Sequence, residues 1–349
     1  MKRIFRICLI LMNVFFLMAL ALGYFAQFVS PDEFSILAFF SLIYPYSVFG
    51  IFITGCVLIF LRSKLVWVSF LALVFSSATT VRQIGFHFQP DLPTDKNIFK
   101  IATLNVKNDF NHENTNQIEE FVNDFQGSLP DVFLFQEISR KKASYIQNAL
   151  KYDFSSIDEH QRLNNSMAIL CKYPLKPVDV LLNEENHPFA QIFDIEFPGK
   201  TVRAINVHLH TNAVTLRAEK FSPESISRKD GLKKLFEMIR SYGKNGKLRM
   251  QEIDKIIPYI KESPWPVLIA GDTNDTPYSR IYNELKGDFS DAFVKGGVGF
   301  AQTYNGLFIP LKIDHIFTDS NFCIYNTDIK KVDYSDHNPI STTFEFCKY

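Results

Sequence analysis

Neither sign of charge dominates this 349-residue chain, in which 37 Lys and Arg stand against 37 Asp and Glu. A protein that clamps long nucleic acid draws affinity from neutralised phosphates and usually carries a basic excess. Its absence counts against a processive or tightly binding nuclease without excluding nucleic-acid cleavage. The balance also averages two unlike regions. Residues 1–96 hold seven Lys/Arg and four acids, which leaves 30 basic against 33 acidic residues in 97–349, a net of −3. Cysteine is scarce as well, at Cys8, Cys56, Cys171, Cys323 and Cys347. The first two lie within apolar runs. The other three have neither CxxC spacing nor a histidine at zinc-ligand spacing. They read as structural thiols, with a Cys323–Cys347 disulfide as the alternative. No internal repeat and no low-complexity segment is present.

Long apolar runs are abundant at the N-terminus. About Ile4 to Phe28 is uncharged apart from Arg6 and long enough to cross a hydrocarbon core of ~30 Å. A polar break, Ser30-Pro31-Asp32-Glu33, precedes a second run from about Phe34 to Leu61. After Arg62-Ser63-Lys64 a third, shorter run extends from Leu65 to about Ala78. Three retained transmembrane helices are expected, in preference to a cleaved signal, because the first apolar core is long and further runs follow. Lys2, Arg3 and Arg6 place the N-terminus in the cytoplasm, and Arg62 and Lys64 return there. A third crossing then puts everything after about Arg82 outside the cytoplasm. Without that crossing it is cytoplasmic. The expected organisation is a multi-pass anchor in the cytoplasmic membrane (1–82), a linker (83–97) and a catalytic domain (98–349). The spans carry no charge within their apolar cores, which offers no ion or substrate path and favours anchoring over transport or sensing.

Beyond the linker the chain alternates between strand-length apolar runs and helical patterns. Strands are expected at Phe99–Val106, Val132–Phe135, Met167–Cys171, Ile192–Phe197, Val202–Leu209, Val267–Ala270, Ile313–Thr318 and Ile340–Phe346. Helices are expected at Gln117–Phe125, Ser144–Leu150, Ser227–Tyr242, Arg249–Lys261 and Ser279–Leu285. Asn212–Leu248, with Gly243, Gly246 and many lysines, reads as a helical insertion or flap. Such a mixture indicates an α+β layered domain rather than a bundle.

Polar residues gather at the ends of the apolar runs. Asn105 follows Ile-Ala-Thr-Leu, Glu137 follows Val-Phe-Leu-Phe-Gln, and His208 follows Ala-Ile-Asn-Val. Asp272 and Asn274 follow Val-Leu-Ile-Ala-Gly, Asp314 lies in Lys-Ile-Asp-His-Ile-Phe, and Asp336-His337 lie in Tyr-Ser-Asp-His-Asn-Pro-Ile. Loops at strand ends are where a rigid sheet converges side chains on one cleft. Each residue alone has a bland reading as a turn former, a first-turn acid or a packed histidine. Together they supply what metal-assisted phosphate hydrolysis needs: hard oxygen ligands, a group that aligns water, and donors for developing negative charge.

The order N, QE, NVH, GDTN, IDH, SDH resembles the endonuclease/exonuclease/phosphatase superfamily, which includes pancreatic-type deoxyribonucleases, apurinic-site endonucleases, inositol polyphosphate 5-phosphatases and bacterial sphingomyelinases. The resemblance runs from about Phe99 to Phe346, and the anchored layout looks like bacterial members with three N-terminal spans. It implies a four-layer α/β/β/α sandwich of two mixed β-sheets. It further implies that Asn105 and Glu137 bind the metal, Mg²⁺ with Mn²⁺ as the alternative, with Asp336 beside it. Asp272 would orient or deprotonate water with Asn274 as partner, and His208 would contact the phosphate. His337 would be the catalytic histidine, its ring held by Asp314. A carboxylate-paired imidazole keeps its tautomer fixed and gains basicity, which supports that assignment independently.

The departures concern substrate rather than chemistry. Thr273 stands where the family usually has an aromatic residue. Nothing matches the loops that intercalate DNA or grip an inositol ring, so nucleic acid, phospholipid or sphingolipid headgroups, and inositol or sugar phosphates stay open as substrates. His210 and Arg249 lie near cleft-side segments, and His315 is expected on the opposite strand face from Asp314. A catalytically dead membrane interaction protein is the rival class, opposed by competent residues at every matched position.

Overall fold

The computed structural model describes residues 2–87, 97–107, 115–157, 166–211, 228–306 and 310–347. Two units are distinct. One comprises Met1–Gln83, Asn212–Lys247 and Asp275–Glu284, and the other Ile84–Thr211, Leu248–Asn274 and Leu285–Tyr349.

In the first unit, α1 (Lys2–Ala26) is followed by α2 (Ser35–Phe39), a 3₁₀ turn at Phe40–Leu42, α3 (Tyr44–Phe60) and α4 (Leu65–Thr80). Among the described residues only α1 is by itself long and apolar enough to cross a membrane. The second apolar run, expected as one span, is bent by 63° between Leu42 and Tyr44. Pro45 opens α3; it lacks an N–H and disfavours helical geometry in the residue before it, so the preceding helix cannot run through. Helix α4 has 16 residues, about 24 Å at 1.5 Å per residue, shorter than a ~30 Å core. The helices turn Phe15, Phe52, Phe60, Trp67 and Phe75 outward. Inward they bury polar groups that satisfy one another. Asn13 donates to Thr54 Oγ1 at 2.7 Å, and Ser69 donates to Asn13 Oδ1 at 3.1 Å.

In chain order the strands of the second unit are β1 (Ile84–Phe86), β2 (Phe99–Asn105), β3 (Val132–Gln136), β4 (Phe154–Ser155), β5 (Met167–Cys171), β6 (Leu175–Leu182) and β7 (Pro188–Phe197). They continue as β8 (Lys200–His208), β9 (Val267–Asp272), β10 (Ser290–Asp291), β11 (Val298–Phe300), β12 (Asp314–Thr318), β13 (Phe322–Ile329) and β14 (Ile340–Phe346). Two six-stranded sheets form, in the orders β10-β12-β9-β8-β7-β6 and β13-β14-β2-β3-β5-β4. Both are mixed: β8–β9 and β2–β3 are parallel and the other neighbours antiparallel. The fold is therefore the expected pair of mixed sheets flanked by helices.

A period of two sets which side chains meet. Ile101, Val132, Leu134 and Ile169 of one sheet pack with Ile195, Val202, Ala204, Leu268, Ala270 and Ile316 of the other. The intervening residues Ala102, Leu104, Phe133 and Phe135 face outward, onto Phe121 and Phe125 of α5 (Thr115–Gln126) and Ile146 and Leu150 of α6 (Arg140–Leu150). Helix α7 runs unbroken over Arg228–Lys261, where a sequence with Gly243 and Gly246 had indicated two helices. Short helices α8 (Arg280–Lys286) and α9 (Ala292–Gly296) follow. Part of the expected linker is a strand, since Ile84–Phe86 pair with Val298–Phe300; its residues 88–96 lie outside the described residues, as do 212–227 of the expected insertion. Cys323 and Cys347 are joined in a disulfide, not free thiols as the sequence had favoured, because the antiparallel β13–β14 pair brings their Cα atoms to 5.3 Å. Cys171 is buried and free.

Candidate active site

The inward parity that builds the core runs off the ends of the strands as polar residues. On β2 it reads Phe99, Ile101, Thr103, Asn105; on β8 Val202, Ala204, Asn206, His208; on β9 Leu268, Ala270, Asp272. Register then aligns them, with His208 opposite Asp272 and Asp272 opposite Asp314. Seven of the eight expected site residues, all in the second unit, are linked by the contacts that follow.

Asp272 is the hub. Its Oδ2 accepts from Asn105 Nδ2 at 3.0 Å and Asn274 Nδ2 at 3.2 Å, and its Oδ1 accepts from Asn274 N–H at 2.8 Å. The Asn105 amide also donates to Glu137 Oε1 at 2.9 Å, while its carbonyl oxygen accepts from Lys107 N–H. His208 Nε2 stands 3.6 Å from Glu137 and 3.9 Å from Asp272. On the far side His337 Nε2 is 3.9 Å from Asp272 Oδ2, and its Nδ1 is 2.9 Å from Asp314 Oδ2. Burial raises the Asp272 pKa to about 6, with the Asp314 charge adding to it and His337, His208 and Asn105 opposing. Burial works against a charge on His337, yet the adjacent Asp314 carboxylate outweighs it and lifts the imidazole to about 10. Glu137 and His208 are partly exposed, whereas Asp272, Asp314 and His337 are buried.

The backbone is strained around this cluster. Glu137, Lys107 and Asn274 adopt φ of +55°, +43° and +52°, a region that L side chains rarely occupy and that recurs at functional sites. Gly271, at φ +143°, precedes Asp272, and a Cβ there would lie 2.0 Å from Val207 O. The Asp272 strand can approach β8 closely only because that position is glycine.

Asp336 sits one residue before His337 and forms an ion pair with Lys107 at 2.8 Å. His315 points to the opposite face, as expected, and is buried near Asp291. Thr273, in place of an aromatic, is buried and donates to Ile313 O at 2.9 Å. Arg249 is fully buried and donates to the His210 carbonyl, so it holds the backbone of the His208 segment.

Several supporting residues carried motif positions without an assigned role. Gln136 donates to Asn206 Oδ1 at 2.6 Å and to Thr103 Oγ1 at 3.0 Å, a buried polar bridge between the two sheets directly below the site. Ser335 donates to Asn105 O at 2.8 Å and accepts from His337 N–H at 3.1 Å, tying the histidine loop to β2. Tyr304 lies edge-on to the His337 ring at 4.9 Å between centroids. Polar residues at inward parity, where apolar ones would fill the core, were the available signal for Gln136, Asn206 and Thr103.

The donor chemistry fits a hard divalent cation. Asp272, Asp314 and His337 each offer an atom within 4.8 Å of the others, a group able to hold a metal. Asp314 and His337 already satisfy each other at 2.9 Å, however, which leaves the Glu137 side of the cluster better suited. Asp336 Oδ1, Asp314 Oδ1 and His208 Nε2 are buried without a hydrogen-bond partner among the described residues. Native proteins rarely leave such groups unsatisfied unless a ligand, ion or water serves them.

Residues 102–337 match the model of the Endonuclease/Exonuclease/phosphatase family, and the chain belongs to that family. Residues 2–82 match a domain of unknown function (DUF8431). No curated protein matches the chain. Among solved structures, an endonuclease/exonuclease/phosphatase family protein from Bacteroides thetaiotaomicron is 16% identical with a TM-score of 0.50, covering 72% of this chain and 99% of its own. Its counterpart from Bacteroides vulgatus is 17% identical with a TM-score of 0.50, covering 72% and 100%. Humanized D. rerio TDP2 carrying 14 mutations is 18% identical with a TM-score of 0.50, covering 71% and 99%. Identities this low speak to the fold alone.

Proposed function

We propose that the chain is a membrane-tethered, metal-dependent phosphoric ester hydrolase that cleaves a phosphodiester or phosphomonoester by attack of water. The observation that carries this reading is the placement of Asp272, held by Asn105 and Asn274, between Glu137 on one side and the Asp314–His337 pair on the other. With a pKa near 6, Asp272 is ionised at neutral pH and suited to orient and deprotonate water. Asn274 and Asn105 fix its carboxylate. His337, kept protonated by Asp314, donates to phosphate oxygen as charge accumulates there, and His208 contacts the same group from the Glu137 side. Glu137, Asn105 and Asp336 would hold Mg²⁺, or Mn²⁺, which when bound supplies Lewis-acid polarisation of the phosphoryl oxygen.

The tether reading takes residues 1–82 as a multi-pass anchor, 83–97 as linker and 98–349 as the catalytic region. Outward-facing Phe15, Phe52, Trp67 and Phe75 support it, since lipid is the solvent that tolerates them. The Cys323–Cys347 disulfide supports an extracytoplasmic catalytic region, because disulfides persist mainly in oxidising compartments. Alkaline phosphatase fused after Lys96 would be active on this reading, and an inactive fusion places the region in the cytoplasm.

The net charge of −3 over 97–349 and the apolar anchor favour a lipid-headgroup ester over long nucleic acid. A metal-activated screen of the full chain against plasmid DNA, phospholipids and inositol phosphates decides the class. Release from phospholipid ahead of DNA nicking supports this reading, and the reverse order makes the protein a nuclease.

A further inference from the structure

Helix α7 carries an apolar stripe that is buried at one end and bare at the other. At about 100° per residue, Leu232, Leu235, Phe236, Ile239, Tyr242, Gly243 and Gly246 fall within one arc of about 120°. The C-terminal part of that arc is covered within the first unit. Tyr242 is buried, hydrogen-bonds Ser41 at 3.0 Å and meets the Phe39 ring edge-on at 5.9 Å. Gly243 lies so close to the start of α2 that a Cβ would come within 2.0 Å of Ser35 Oγ and 2.5 Å of Pro31 O. Among the described residues the N-terminal part has no such cover: Leu232 and Phe236 are 62% and 61% exposed, and Leu235 is exposed too. Lys233, Arg240, Lys244 and Lys247 line one flank of the arc, and Lys247 pairs with Asp32 at 3.0 Å. Residues 231–247 hold five bases and one acid, Glu237.

We infer that Leu232, Leu235 and Phe236 insert into the surface of an anionic lipid bilayer, so that the first half of α7 lies in the membrane interface. The inference rests on the tether reading above and adds a second, peripheral grip to it. Three observations select lipid as the occupant. The bare stripe continues the same helix face that packs against the segment joining the apolar helices α1 and α3. The unit it belongs to already turns large apolar side chains outward along those helices. The bases beside the stripe match anionic headgroups, the pattern of a helix buried about 5–10 Å into the headgroup boundary. An enzyme held this way would meet a substrate whose ester lies at the headgroup level.

The test uses the full chain in nanodiscs of phosphatidylcholine and phosphatidylglycerol, made with or without chain-brominated lipid. Two single-tryptophan forms are compared: Trp265→Phe, which keeps Trp67 of α4, and Trp67→Phe/Trp265→Phe/Phe236→Trp. Bromine should quench both, the second by roughly half or more given that shallow depth, and quenching of the second should weaken when phosphatidylglycerol is omitted. Quenching at Trp67 without quenching of the Phe236→Trp form leaves the tether standing and overturns the interfacial helix. A blue-shifted, unquenched Phe236→Trp form that crosslinks between copies overturns it in favour of self-association. Absence of quenching at both positions overturns the tether and the inference together.

Discussion

Asp314 Oδ2 lies 2.9 Å from His337 Nδ1, and both side chains are buried. The carboxylate comes from the first residue of β12 and the imidazole from the loop before β14, so the two sheets meet through this bond. It fixes the ring with Nε2 toward Asp272. Asp314→Asn keeps the shape and removes the charge that holds the imidazole protonated. The expected result is a kcat lower by about 10²–10⁴-fold with KM little changed, the span of a lost acid–base contribution. Steady-state kinetics on the ester found by the screen checks it, and an equal fall in affinity alone would point to a binding role instead.

The same pair sets a pH dependence of stability. The folded-state pKa of His337, about 10, lies above the ordinary 6.5. Its contribution is therefore fully present below about pH 6.5 and is lost as pH rises through about 10. In EDTA, the difference in urea midpoint between the parent and His337→Gln should be largest at about pH 6.5 and shrink as pH rises toward about 10. A difference that grows with pH contradicts the charge state assigned to the ring.

Gly271 should resist substitution. At φ +143°, and with a Cβ 2.0 Å from Val207 O, alanine is strained and overlaps its neighbour. The backbone alone costs about 1–3 kcal/mol, and relief of the overlap must shift β9 against β8. Gly271→Ala is expected to lower the urea midpoint and to reduce turnover, because Asp272 moves with the strand.

Lys312 and Asp291 form a fully buried ion pair at 2.7 Å, with His315 3.8 Å from the same carboxylate. Burial opposes the Asp291 charge, but Lys312 and His315 more than offset it and hold the carboxyl well below the usual range. Lys312→Met should cost about 3–5 kcal/mol, since it strands a buried charge. Adding Asp291→Asn should recover part of that loss in a double-mutant cycle.

Much of the candidate site was legible in the sequence because polar residues replaced apolar ones at inward parity near the strand ends. Asn105, His208, Asp272 and Asp314 all lie on the parity that buries Ile101, Ala204, Ala270 and Ile316. The central strands were equally plain. The edge strands were not: β6 contains Pro177 and two register shifts, and β13 is irregular between Ile324 and Asn326, so neither keeps a clean alternation. Gly243 and Gly246 suggested a break in α7, yet Gly243 is there to let the helix approach Ser35 closely. Lys107 gave no signal, because its pairing with Asp336 joins residues more than 200 positions apart. The Cys323–Cys347 bond likewise depends on β13 and β14 being neighbours, which spacing alone does not reveal.

The most direct test is hydrolysis of a chromogenic phosphodiester by the purified full chain with Mg²⁺, in EDTA, and in the Asp272→Asn and His337→Gln variants. Activity should vanish in EDTA, return with Mg²⁺ or Mn²⁺, and fall below about a thousandth in either variant while the proteins stay folded, as metal-dependent hydrolysis at Asp272 and His337 requires. Near-normal turnover in both variants, or full activity in EDTA, would contradict it.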